Sequence, residues 1–210
     1  MQEGQTRYQR TLAQLQNHYA VEKALATRLK NAPRAERPLI YATMYDELFA
    51  KVPDHPRLVK REDPLTRGRR IRRALRLVQP VIRPSTVFLE FGPGDCRFAF
   101  EVCKYVQKVY GVDISQPMSR TAEMPSNFES IVYDGYRLPL ADDSIDVMFS
   151  DQLIEHLHPE DTGGHLQTAQ RLLKRGGRYI FTTPHRFTGP HDISRYFSDE
   201  AEGFHLKEWT

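Results

Sequence analysis

The chain has 210 residues, 40% of them hydrophobic and 27% charged, a balance that fits one globular domain with room for an appendage and excludes a wholly disordered chain. Thirty basic side chains against 27 acidic ones leave a net charge of +3, too small by itself to imply a nucleic-acid binder. No apolar run approaches the roughly 18 residues of a membrane span. The opening MQEGQTRYQR lacks the apolar core of a signal peptide, and Cys96 and Cys103 lie too close together for a disulfide framework, so the expectation is a cytoplasmic protein.

In chain order, residues 1–80 read as a helical region that caps residues 81–210. Leu12, Leu15, Tyr19 and then Leu25 and Leu29 recur at helical spacing, and this first helix should stop before Pro33. A second helix is predicted over 38–50, with Leu39, Ile40, Met44, Leu48 and Phe49 on its apolar side. Nine basic and two acidic residues fall between Arg57 and Arg76, on a predicted helix over 66–79. Such a helix is either a solvated face or a contact for an anionic partner or substrate.

Beyond Val81 short apolar runs alternate with helices. Strands are predicted over 86–91, 108–113, 128–133, 144–150 and 178–183. Helices are predicted over 97–105, around 116–122, and over 160–174, the last capped by Gly176-Gly177. Strands that alternate with helices need crossover connections, which predicts an α/β fold: a Rossmann-like, mostly parallel sheet with helices on both faces.

In such sheets ligands bind beyond the carboxyl ends of the strands. Glu90-Phe91-Gly92-Pro93-Gly94-Asp95 follows strand one, and two glycines there let the backbone turn sharply beside a ligand. Asp113 ends strand two, where a carboxylate can accept hydrogen bonds from a ribose diol. Asp134-Gly135 follows strand three and Ser150-Asp151-Gln152 follows strand four. The third glycine of the dinucleotide fingerprint is missing, with Phe98 and Ala99 in its neighbourhood. The acidic Glu90, Asp95 and Asp113 favour a nucleoside without phosphates.

The ordered series VFLEFGPGDCRFAF, YGVDIS, YDGYRLPLADDSIDVMFSDQLIEHL and LLKRGGRYIFTTP resembles the successive motifs of class I S-adenosylmethionine-dependent methyltransferases, from about Val87 to Pro184. The resemblance implies S-adenosylmethionine as cofactor and S-adenosylhomocysteine as product. It implies that Glu90, Gly92 and Gly94 surround the methionine part, Asp113 binds the ribose hydroxyls and Ile114 packs on the adenine. Asp134 would face the adenine amino group beside Gly135, and Ser150 and Gln152 would close the site near the sulfonium. Cys96 stands where many members have a third small residue, usually glycine.

Six of the eight histidines lie between His156 and His205. Glu155 and His156 after strand four, and His185 after strand five, are the candidate proton acceptors, against the alternative of structural hydrogen bonds. His191 follows in the same stretch, with Tyr196 and Phe197 as candidate apolar walls. QLIEH at 152–156, with HLKEWT at 205–210, also resembles the metal-binding pattern of small-RNA 2′-O-methyltransferases. Glu155, His156 and His205 match that pattern while Gln152 replaces its first Glu, so a metal is a hypothesis only.

The expected acceptor is a hydroxyl of a small molecule or glycan. An RNA methyltransferase and a non-catalytic cofactor-binding protein are the alternatives. The residues after 183 leave no room for the family's last two strands, so an exposed sheet edge is expected to be covered by the N-terminal helices or by a second copy of the chain.

Overall fold

The computed structural model describes residues 10–59, 63–114 and 124–210. The helix expected around 116–122 lies outside these residues. None of the helices described is long and apolar enough to cross a membrane.

Helix α1 (Leu12–Asn31) starts at Thr11, whose hydroxyl accepts the amide of Gln14 while the Gln14 side chain accepts the amide of Thr11. After Pro33 follow α2 (Arg37–Lys51), the single turn α3 (Pro56–Val59) and α4 (Pro64–Val78), which Asp63 caps. Next come β1 (Val87–Phe91), α5 (Arg97–Val102), β2 (Lys108–Asp113), β3 (Phe128–Val132), β4 (Ile145–Asp151), α6 (Asp161–Leu172) and β5 (Leu173–Thr182). The strands form one five-stranded sheet in the order β3-β2-β1-β4-β5, and every pairing is parallel. The order reverses between β1 and β4, which opens a crevice at the carboxyl ends of those two strands.

Two-residue alternation sorts the side chains of the sheet onto two covered faces. Phe88, Val109, Val147 and Phe149 point to one face, where Ala74 and Val78 of α4 and Phe98, Ala99 and Val102 of α5 pack on them. Leu89, Phe91, Val112, Ile145 and Met148 point to the other, against Ala169 and Leu172 of α6. Helix α4 thus belongs to the sheet packing. Helices α1 and α2 build a third apolar cluster, from Leu25, Leu29, Met44 and Leu48, which takes in Phe204 and Leu206 from the far end of the chain and Ile114 from the end of β2.

Buried polar contacts bind this cap to the sheet. The Arg37 guanidinium reaches Asp161 at 2.9 Å and Glu160 at 2.6 Å, and Tyr41 Oη accepts the His158 amide at 2.6 Å. The His158 ring in turn sits 3.1 Å from the Lys30 carbonyl.

The structure corrects two expected helix ends: α5 stops at Val102 rather than at 105, and α6 stops short of 174. Helix α6 ends at Leu172, because Leu173 is already extended and pairs with Ile145. The next pairing is Val147 with Arg178, so residues 174–177 bulge out opposite Asp146 alone. Gly176, at φ +83°, turns inside this bulge and does not cap the helix. Asp146 steadies the bulge by accepting from Lys174 Nζ and from the Val87 amide.

Helix α4 carries six arginines and no acid, and Arg69, Arg70, Arg72, Arg73 and Arg76 are exposed. Subtracting those six from the 30 basic residues leaves 24 against 27 acidic ones, so the rest of the chain is net −3 and the positive charge is local to α4.

Phe149 is 1% exposed, with its ring 4.8 Å from that of Phe98. Phe149→Ala should cost about 3–5 kcal/mol of stability by urea unfolding. A loss under about 1 kcal/mol would show that this face of the sheet is not closely packed.

Candidate functional site

The crevice begins at the end of β1. Glu90 is 5% exposed, on the α4–α5 face of the sheet, and its Oε2 is buried without a hydrogen-bond partner. Burial, with Asp151 and Asp95 nearby, pushes its pKa up to about 8. Gly92 and Gly94 follow at φ +66° and +55°, and a Cβ at Gly94 would point into open space. Cys96 is also left-handed, at φ 58°, which explains why a small residue suits that position. Its buried thiol is pushed up to about 12, by burial first and then by Glu90.

Asp113 ends β2, and its Oδ1 accepts the Ile114 amide at 2.7 Å. Ile114 is half-buried against the cap. Asp134 holds its own turn through Oδ1, which accepts the amides of Tyr136 and Arg137. The Arg137 amide foremost holds its carboxyl below the usual range, and Gly135 beside it turns at φ +87°. Gln152 is exposed and left-handed, at φ 56°. Ser150 differs from expectation. It is fully buried, because alternation places it on the α6 face with Met148, and its hydroxyl lies 2.8 Å from Tyr179 Oη, which also meets His165 Nε2 at 2.8 Å.

Glu155 and His156 lie just beyond β4, in a 3-10 turn (Ile154–His156). One ligand atom each from Glu155, His156 and His205 lies within 4.8 Å of the others. His156 Nδ1 is 2.9 Å from the Phe204 carbonyl, which can only accept, so that nitrogen carries the proton and Nε2 keeps a lone pair. His205 Nδ1 donates to Glu208 Oε1 at 2.7 Å, with the same consequence. Burial works against ionisation of Glu208, yet the donors from His205 and His191 outweigh it and hold its carboxyl below the ordinary range. Glu155 Oε2 accepts the Thr183 hydroxyl, while Oε1 is buried and without a partner. Burial raises the Glu155 carboxyl and lowers the His156 imidazole to about 3. Two imidazole lone pairs and an unpaired carboxylate oxygen suit a divalent cation, and the donors behind both rings fix their tautomers.

His185 does not join this cluster. Its exposed ring stacks on Phe187, and its Nδ1 accepts the Phe187 amide at 3.2 Å. A second group, His18, Glu22 and His55, is equally compact but electronically different. His18 Nδ1 accepts from Arg10 and its Nε2 donates to Glu22, while His55 Nδ1 accepts the Arg57 amide. The lone pair of each imidazole is already engaged by a donor, which disfavours a cation at this trio.

Glu22 and His55 of one group and His156 and His205 of the other line one cavity of about 290 Å³ under the cap, together with Tyr45, Leu48, Arg57, Gln152, His191 and Asp192. The sequence reading missed Glu22, His55 and Asp192. The one available signal was the four-residue spacing of His18 and Glu22.

Residues 89–181 match the family model of a methyltransferase domain. That match, with the methyltransferases to which the chain is similar, supports a class I S-adenosylmethionine-dependent methyltransferase. It is 28% identical, over 126 residues, to an uncharacterized methyltransferase of Geobacillus sp. (strain WCH70), a match that covers 59% of each protein. It is 33% identical over 110 residues to an uncharacterized 37.1 kDa protein in transposon TN4556 of Streptomyces fradiae, covering 49% of this chain and 31% of that protein. The chain thus spans about half the length of the curated relatives it matches. Among solved structures, phosphoethanolamine N-methyltransferase 1 of Haemonchus contortus, in complex with phosphoethanolamine and S-adenosylhomocysteine, superposes on 90% of this chain and 38% of its own. The TM-score is 0.52 at 17% identity, a likeness of fold.

The raised Glu90 pKa generates a pH prediction. A carboxyl that is protonated in the folded state favours folding fully below its unfolded pKa, near 4.5, and that contribution is lost as pH rises toward 8. The urea midpoint should therefore fall between pH 5 and 8 (about neutral at mid-range) more steeply in the parent than in Glu90→Gln. Equal slopes would show that Glu90 ionises normally.

Proposed function

We propose that this chain transfers a methyl group from S-adenosylmethionine to a hydroxyl of a small molecule or glycan. The observation that carries this reading is the cluster of Glu155, His156 and His205: Glu155 and His156 follow β4 beside the crevice, and His156 and His205 line a cavity under the cap.

When bound, S-adenosylmethionine supplies a methyl group on a positively charged sulfur. The crevice suits a cationic nucleoside. Glu90 has an unpaired buried oxygen, and Asp95 and Asp151 add negative charge beside it. Glu90, Gly92 and Gly94 would hold the methionine part, Asp113 the ribose hydroxyls, Ile114 with Asp134 and Gly135 the adenine. Gln152 would stand near the sulfonium, with Ser150 contributing backbone, since its hydroxyl is engaged by Tyr179.

Glu155, His156 and His205 would hold a divalent cation, which would lower the pKa of an acceptor hydroxyl. The chain's own part is alignment. Residues of α2 and of the segment after β5 line the cavity and would orient the acceptor, and in-line positioning would supply much of the rate. Without a cation, Glu155 Oε1 and His156 Nε2 would be the groups available to take the hydroxyl proton.

Calorimetric titration with S-adenosylhomocysteine tests the donor site. One-to-one binding is expected, weakened by about 1–3 kcal/mol in Asp113→Ala through lost charge-assisted hydrogen bonds. Unchanged binding in that variant would refute the ribose assignment. His156→Ala should keep donor affinity and lose methyl transfer.

The charge of α4 favours a second reading, in which the hydroxyl belongs to RNA. RNA binding should then fall steeply with added salt. Arg72→Glu with Arg73→Glu should abolish that binding. Salt-independent binding, or none, would leave the small acceptor.

A further inference from the structure

We propose that Glu22, on helix α1, is a positioning residue for His156 and His205. The inference rests on the proposed role of those two imidazoles and reaches them through the segment 202–205. That segment pairs with no strand, and side chains hold its amides one after another. The Glu202 amide donates to Ser194 Oγ at 2.8 Å and the Gly203 amide to Asp192 Oδ2 at 2.9 Å. The Phe204 amide donates to Glu22 Oε2 at 3.2 Å and the His205 amide to Asp192 Oδ2 at 3.3 Å. Gly203 threads between the two carboxylates, where a Cβ would lie 2.6 Å from Glu22 Oε2 and 2.7 Å from Asp192 Oδ2.

Through this arrangement Glu22 holds the 203–204 peptide and Asp192 the 204–205 peptide on the other side of the Phe204 Cα, so Glu22 helps to orient the Phe204 carbonyl, which sets the Nδ1–H tautomer and the orientation of His156. Glu22 is itself fixed. Its Oε1 accepts His18 Nε2–H at 2.7 Å, and Arg10, donating to His18 Nδ1 at 2.7 Å, forces that tautomer. Both carboxylate oxygens are engaged, so Glu22 acts on the site through Phe204. A carboxamide at this position must turn an NH2 toward either the His18 or the Phe204 N–H, and two donors then face each other.

The test is a titration of the full chain with Co²⁺ alone, followed by visible absorption, for the parent, Glu22→Gln and Leu29→Ala. Leu29 is fully buried in the same cap cluster and takes no part in these hydrogen bonds, so its truncation reports a purely structural loss. Glu22→Gln should raise the Co²⁺ dissociation constant by about 10-fold or more, as loss of outer-shell support does. Leu29→Ala should lower the thermal midpoint at parental Co²⁺ affinity. Parental affinity in Glu22→Gln, or an equal loss in Leu29→Ala, overturns the proposal. If the parent itself binds no Co²⁺, the cation reading falls and nitrogen NMR of the imidazoles decides the positioning role. A single His156 Nδ1–H tautomer in the parent that becomes mixed in Glu22→Gln upholds it, and identical spectra overturn it.

Discussion

Parallel pairing is the constraint from which the rest follows. Strands that run the same way cannot be joined by tight turns, so each connection crosses a face of the sheet and carries a helix with it. Both faces are then buried, and β1 and β4 are buried along most of their length. Polar chemistry is driven to the strand ends, and the reversal of order between β1 and β4 leaves a gap there. Glu90 and the Glu155–His156 turn stand on the two sides of it. Their unpaired carboxyl oxygens are the cost of putting polar groups at the edge of an apolar layer.

The cap roofs a cavity beside this crevice, and polar contacts join an apolar cluster in holding it there. Arg37, Tyr41 and His158 hold α2 against α6, and Glu22 holds α1 against the last residues of the chain. Buried pairs of this kind contribute less to net stability than their number suggests, since each group is first stripped of water. Their geometry is exacting, and a misplaced partner leaves a buried charge unpaired. They suit a surface whose task is to fix positions to a few tenths of an ångström.

The strands, the glycine turn after β1 and Asp113 were legible because apolar runs, Gly-x-Gly and an acidic strand end are local signals. Gly176 was legible as a turn, yet a helix cap and a strand bulge use the same left-handed residue, and only the pairing of Leu173 with Ile145 separates them. Ser150 was placed at the right strand end, but which face it took depended on the register of the whole sheet. His185 and His191 are equivalent in sequence, and packing on Phe187 turned one of them away. Glu22 was invisible for a different reason. A glutamate among Gln, Lys and Arg on an amphipathic helix reads as solvated, and its partner lies at the other end of the chain.

That separation bears on the order of folding. The Glu22–Phe204 hydrogen bond joins residues 182 apart, whereas each parallel pairing of the sheet closes a much shorter loop. Closure entropy and contact order place such a contact late. During synthesis the strands and their crossing helices leave the ribosome before residues 202–205 do. The donor crevice therefore takes shape on a chain whose acceptor cavity is still open, and the two halves of the site mature in that sequence.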